Sequence, residues 1–446
     1  MVRFSIWVMG AIMVGVAGCA ALGDYSSDDP GFEEAPGVFE GRFLAVSDAD
    51  MAGTAYADGK LEPLAGAIDE VTLFSNGEPV ATAAASNSVV SWPQIVDVSA
   101  DGRHAYVVET RGSLGQSVEE VDSAYTAFPD GTSLRAYEIV DGQLNEVALL
   151  DDVGPNPQFV EVSPNGRFLL IGTEADGREL GIIPLDEDGR PKTPSFINLD
   201  PPYEEIDAEK RVRVAHLSPD GRTLAVNVGN VRIQFYDLII NDSGIPVRAE
   251  HKGNPIEVGV RLAVGRWTPD GRFFLITDVN GYDSSLTMLM QRGGQVHVIA
   301  PPTSEKSARL IDSSRVGRFA EGLEISDDGT RVASIAMERT YLPELVFLET
   351  WPRRRTYLLT LLSLNPETGE LTELDRVHAA GVLPEDVIFD ETGTNLAVAT
   401  FHRRKGPDRQ RGFIDFFEIT DDDQLRIQGR TQAVMRGPHD LVRLPN

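Results

Sequence analysis

The chain has 446 residues, with 69 Asp and Glu against 40 Lys and Arg, for a formal net charge of −29. That charge repels nucleic-acid phosphates, so no nucleic-acid partner is expected, although it names no positive partner either. One cysteine excludes any intrachain disulfide, so packing alone must hold the fold.

The first residues read as an address. Arg3 gives a positive start, an apolar run from Phe4 to Val16 follows, and Val16-Ala17-Gly18-Cys19 closes it. The run is short for a bilayer span, and no later segment is long enough to cross. This start resembles that of bacterial lipoproteins, with residues 1–18 as signal peptide and Cys19 as the lipidated residue. The resemblance implies a membrane partner through an N-terminal lipid anchor. With Ala20 after the cysteine, it implies the outer membrane of the cell envelope, facing either the periplasm or the surface. Residues 19–38, rich in Asp, Glu, Ser, Gly and Pro, have the composition of a flexible acidic tether.

From residue 39 onward one phrase recurs: alternating apolar and polar residues, a Ser or Asp, an Asx-Gly-type turn, then a second alternating run. The copies are VDVSADGRHAYVV at Gly102, VEVSPNGRFLLIG at Gly166, VAHLSPDGRTLAV at Gly221, GRWTPDGRFFLIT at Gly271, LEISDDGTRVASI at Gly329 and VIFDETGTNLAVA at Gly393. Each is a β-hairpin, because glycine takes the positive φ of the turn and period-2 alternation marks half-buried strands. A spacing of 50 to 64 residues between turn glycines fits four short antiparallel strands and their loops, the blade of a propeller. A seventh copy is split between the ends, with Gly41-Arg42-Phe43-Leu44-Ala45-Val46 continuing the phrase that HDLVRLPN begins. Residues 39–446 are therefore expected to form one all-β domain, a seven-bladed β-propeller of four-stranded antiparallel blades closed by pairing of the N- and C-terminal strands. The segment from Thr356 could pass for a helix, but Pro366, Gly369 and its threonines favour a hairpin.

Counting back eight residues from each turn places the inner-strand starts at Pro93, Pro157, Val212, Leu262, Ala320, Pro384 and Pro438. The next two positions face the channel mouth. They supply Gln94, Gln158, Arg213, Glu321, Glu385, Asp386, His439 and Asp440, which could bind a polar ligand or merely line a water-filled mouth with ion pairs. Glu321, Glu385, Arg213 and His439 are the candidate catalytic residues, and Asp386 and Asp440 are candidate ligand contacts. A second ring four residues before the turn, Asp97, Glu161, His216, Arg266 and Glu324, is placed to bridge blades. Two loops add basic clusters, with Arg339, Arg353 and Arg354 in the sixth blade and His402, Arg403 and Arg404 in the seventh. Arginine holds carboxylate or phosphate through two donors, so an anionic ligand is the sharper reading; solvated loops balancing local charge is the plainer one. There is no GxSxG, P-loop, GxGxxG or HExxH pattern. No cofactor and no metal site are expected.

The SPDGR repeats, the split blade and the terminal Gly437-Pro438-His439-Asp440-Leu441-Val442 resemble the seven-bladed lactonase-like propellers, which include phosphogluconolactonase-like and YVTN-repeat proteins. Enzymes of that group often start the inner strand with Pro-Arg-His; the equivalents here are Pro93-Gln94-Ile95, Pro157-Gln158-Phe159, Pro384-Glu385-Asp386 and Pro438-His439-Asp440. Two functions are open. The first is a lipid-anchored envelope propeller that binds a small anionic molecule, a glycan or an envelope protein on its channel face. The second, implied by the resemblance, is a lactone hydrolase or cycloisomerase acting on a sugar-acid or muconate-type lactone.

Overall fold

A computed structural model describes residues 38–49, 61, 68–85, 91–114, 118, 120–122, 127–199, 212–281, 293–340, 355–402 and 411–445. Cys19, Arg353, Arg354, Arg403 and Arg404 lie outside the described residues, as do the side chains of Arg213 and His402.

Seven antiparallel sheets form the seven blades, and no helix occurs among the described residues. From the channel outward, blade 2 runs Val96–Val98, His104–Val108, Leu134–Val140 and Gln143–Leu150. Blade 3 runs Phe159–Val162, Phe168–Gly172, Leu180–Pro184 and Ser195–Ile197. Blade 4 has Val212–Leu217, Thr223–Val228, Arg232–Ile240 and Pro246–His251, with a short fifth strand, Ile256–Glu257, paired to the third. Blade 5 comprises Leu262–Trp267, Phe274–Asp278, Gly294–Ala300 and Arg309–Gly317. Blades 6 and 7 begin with Ala320–Ile325 and Val382–Phe389, and Thr356–Leu364 with Leu371–Ala380 is the hairpin that its Pro, Gly and Thr content favours.

Blade 1 closes the ring. Its innermost strand, Pro438–Leu444, pairs antiparallel with Arg42–Ser47, setting Leu44 opposite Val442 and Arg42 opposite Leu444. Glu70–Ser75 and Glu78–Ala84 complete that sheet. The seam between blades 7 and 1 is packed with aromatic rings: Phe43 stacks on Phe74 at 4.6 Å between centroids, Phe39 meets Phe43 edge-on at 4.9 Å, and Phe416 of blade 7 reaches both Phe39 and Phe43. Each favourable aromatic pair adds roughly 0.5–1.5 kcal/mol beyond area burial, so the closing seam is reinforced where the chain is not continuous.

The repeated turns explain themselves residue by residue. Gly102, Gly166, Gly221, Gly271, Gly329 and Gly393 all have φ between 64° and 70°, a conformation glycine adopts without a Cβ clash. In blades 2, 4, 5 and 6 the hydroxyl of Ser99, Ser218, Thr268 or Ser326 donates to the turn Asp at 2.6 Å. The same hydroxyl accepts the amide five residues on, from His104, Thr223, Phe273 or Arg331. The phrase is thus a self-bonded corner at one end of the channel.

The inner strands begin at the expected residue in blades 4, 5, 6 and 1. In blades 2 and 3 they start later, at Val96 and Phe159, and in blade 7 earlier, at Val382. Pro93 and Pro157 have no N–H to give a ladder, which delays regular pairing.

Candidate functional site

The mouth of the channel, opposite the turns, gathers Glu321 from blade 6, Glu385 from blade 7 and His439 from blade 1. Their exposures are 5 %, 1 % and 0 %. His439 Nδ1 lies 3.7 Å from Glu385 Oε2, and the Glu385 and Glu321 carboxyl groups are hydrogen-bonded to each other. Burial first, then the neighbouring carboxylates, pushes Glu321 well above the ordinary range, against the pull of Arg261. Burial does the same to Glu385. Burial lowers His439 to about 4, opposed by Asp386 and the Ser91 backbone, so its imidazole is neutral at pH 7. Two like groups in a dry site cannot both ionise cheaply, so the pair holds a shared proton. Glu385 Oε1 has no hydrogen-bond partner.

Asp386 and Asp440, the other two mouth carboxyls, each use one oxygen to join blades. Asp386 Oδ2 accepts from Leu441 N at 3.0 Å, and Asp440 Oδ2 accepts from Ile95 N and Val96 N at 2.5 and 3.0 Å. Burial raises Asp440 to about 7 in spite of those amides. The second ring continues the pattern: Asp97 Oδ2 accepts from Val162 N at 2.6 Å, Glu161 Oε1 from Leu217 N at 3.0 Å, and Arg266 Nε donates to Glu324 at 2.9 Å. Inner strands of successive blades are thus tied by side chains as well as by packing. The Arg266 guanidinium is partly desolvated, but Glu324, Asp386 and Asp440 more than offset this and hold it firmly charged.

Among the described residues the mouth is covered. Ser91 Oγ donates to Gln158 O of blade 3 at 2.5 Å, and Trp92 lies 5.6 Å under the Arg261 guanidinium of blade 5. Trp92 also packs on an apolar cluster drawn from several blades, including Phe128, Phe319, Met337, Leu383 and Phe401. Below this cover an axial cavity of about 290 Å³ extends toward the turn face, lined by Gln94, Asp97, Glu161, His216, Arg266 and Asp440 among others.

Arg339 is half-buried on the loop after the second strand of blade 6 and is not among the residues lining the axial cavity. A polar network of which the strand-start count singled out only Gln158 lies between blades 2 and 3 at the mouth end. Arg111, 7 % exposed, pairs with Asp130 at 2.9 Å and Glu174 at 3.5 Å. Asn156 Nδ2 donates to the same two carboxylates, and Gln158 Nε2 to Glu174 Oε1 at 3.2 Å.

The family model described as "Lactonase, 7-bladed beta-propeller" matches residues 56–259. The chain is a seven-bladed propeller whose residues 56–259 are similar to the lactonase family. Among solved structures, the chain is similar to the periplasmic gluconolactonase of Pseudomonas aeruginosa, with 17 % identity and a TM-score of 0.59, over 91 % of this chain and 99 % of that one. It is also similar to a Bacteroides fragilis protein named as a candidate 6-phosphogluconolactonase, with 15 % identity and a TM-score of 0.60, over 91 % and 98 %. A hypothetical selenium-binding protein of Sulfolobus tokodaii shares the fold at 10 % identity and a TM-score of 0.57, over 93 % and 97 %. At these identities the likeness is one of fold. No curated protein matches the sequence.

Proposed function

We propose that this lactonase-like propeller hydrolyses a lactone of the sugar-acid type at the channel mouth, held at the cell envelope by lipid on Cys19. The observation that carries the chemistry is the Glu321–Glu385 pair, two buried and mutually hydrogen-bonded carboxyls beside His439. In this reading Glu385 takes a proton from water as the water oxygen adds to the lactone carbonyl. Glu321 then gives its proton to the ring oxygen as the acyl C–O bond breaks, leaving a hydroxy acid, and the proton on Glu385 returns to Glu321 across their hydrogen bond. An N–H of neutral His439 faces the oxyanion of the tetrahedral intermediate, and Arg213 is a further candidate for that charge. The envelope address is supported by the sequence alone, through Arg3, the apolar run and Cys19.

The test uses the full chain in detergent and a panel of five- and six-membered aldonolactones and muconolactones, followed by acid release in a pH-stat. Turnover above the spontaneous rate supports the reading. A folded sample that turns over none of them rejects it for those substrates.

One observation favours a second reading, in which the protein binds without catalysis: Glu321 and Glu385 are almost fully buried. The ligand would then be an anionic small molecule, a glycan or an envelope protein held by Arg339, Arg353, Arg354, His402, Arg403 and Arg404. If changing Arg353, Arg354, Arg403 and Arg404 together to Ala leaves the affinity of a captured anionic ligand unchanged, that face is not the binding surface.

A further inference from the structure

The axial cavity below the covered mouth contains two buried polar atoms without partners, and together they specify a ligand. Gln94 Nε2 donates to the Ala215 carbonyl at 3.0 Å, which fixes the orientation of its amide. The same NH₂ group lies 3.1 Å from His216 Nδ1 and 3.4 Å from Glu161 Oε2; an amide NH₂ only donates, so at the shorter contact Nδ1 is the acceptor and the imidazole proton sits on Nε2. This agrees with the direction of the His216 shift, since burial and then Arg266 hold the ring neutral. Gln94 Oε1 and His216 Nε2–H are left with no hydrogen-bond partner, on side chains 8 % and 6 % exposed that both line the cavity.

One unsatisfied acceptor and one unsatisfied donor call for a group that both donates and accepts. A hydroxyl does this; a carboxylate accepts only, and an ammonium donates only. Charge argues the same way. An anion would meet Asp97, Glu161, Glu324, Asp327 and Asp440, while an ammonium, though drawn to these, would meet Arg266 and Arg443 and leave His216 Nε2–H without an acceptor. The remaining walls, including Val96, Val160, Ile388 and Val442, are apolar and suit the C–H face of a small ring. The volume of about 290 Å³ is several times the roughly 30 Å³ share of one water molecule.

We infer that the axial cavity, between Gln94 and His216 and open toward the turn face, is a binding site for a neutral polyhydroxylated molecule of monosaccharide size. It is separate from the Glu321–Glu385 mouth and stands whether or not that pair is catalytic. The Arg443 guanidinium, bonded to Asp327 at 2.5 and 2.6 Å, stands at its rim and forms part of the passage.

The test is calorimetric titration of the full chain with D-glucose, D-galactose, D-gluconate and methylammonium, in parallel with Gln94→Leu and His216→Phe. The expected result is saturable binding of at least one neutral sugar, weakened tenfold or more in both variants, with gluconate and methylammonium binding at least tenfold more weakly. Saturable gluconate or methylammonium binding without sugar binding overturns the ligand class, and sugar binding unchanged in folded variants overturns the site. Should either variant not fold, a crystal of the unaltered protein grown with the sugar decides: sugar density between Gln94 and His216 supports the inference, and water alone there overturns it.

Discussion

His439 Nδ1 stands 3.7 Å from Glu385 Oε2 at a point where neither side chain reaches solvent. The contact joins blade 1 to blade 7 across the seam where the ring closes, so the geometry of the candidate site depends on that closure.

Glu385→Gln keeps the shape of the side chain but removes its ability to take a proton. If the pair performs acid–base chemistry, kcat/KM for a lactone substrate falls about 10²–10⁴-fold while far-ultraviolet circular dichroism is unchanged. Glu321→Gln lowers it similarly and also alters the pH–rate profile, because the two groups titrate together. Retention of full activity by both variants would remove the pair from the reaction.

Trp92 packs against Arg261, the cation whose charge acts on Glu321, so Trp92→Ala should open the approach to the pair. The expected outcome is faster turnover or tighter binding of bulky lactones, with a several-fold drop in KM, measured beside Trp92→Phe as the shape-conserving control. Identical kinetics in all three proteins would mean that ligands reach Glu385 by another route.

The buried carboxyls set a pH dependence of stability. Burial raises Asp97 from 3.8 to about 6 and Asp440 from 3.8 to about 7. For such groups the folded state holds a proton that the unfolded chain has already released, so their contribution is fully present below pH 3.8. It is lost as pH rises through about 6 and 7. The turn residues Asp220 and Asp328 are lowered and work in the opposite sense below pH 3.8, so stability should peak in mildly acid solution. Scanning calorimetry should give a higher Tm at pH 5 than at pH 8. Asp97→Asn should reduce that difference.

Arg430 and Asp415 form a fully buried ion pair in blade 7, and Tyr357 and Thr400 each donate to Asp415 Oδ2 at 2.7 Å. Arg430→Met leaves a buried carboxylate without its cation and should cost about 3–5 kcal/mol in urea unfolding. Replacing both residues, Arg430→Met with Asp415→Leu, should recover much of that loss, and equal destabilisation by the two variants would mean that the cation is not what matters.

The blades were legible because each repeats a local solution: a glycine at positive φ, a hydroxyl-to-Asp bond, and alternating strands that need a neighbour to bury one face. Val212, Leu262, Ala320 and Pro438 follow from counting along that unit. The apolar cluster at the mouth was not legible, because Trp92, Phe128 and Met337 are single residues in loops of unequal length that meet Phe401, near the end of its strand, only once the ring forms. The Arg111–Glu174 network escaped for the same reason. Gln94 and His216 stood out as polar residues at regular positions, yet their two missing bonds belong to three-dimensional placement, since Ala215 and His216 reach Gln94 from two blades away.

The inner strand Pro438–Leu444 is synthesised long after its partner Arg42–Ser47, with almost the entire propeller made in between. Until it emerges, the growing chain is an arc with an exposed hydrogen-bonding edge on Arg42–Ser47 and an uncovered aromatic patch at Phe39, Phe43 and Phe74. A chaperone that shields strand edges would have the greatest effect during that interval, and chains interrupted shortly before Pro438 would be the ones most inclined to pair with each other.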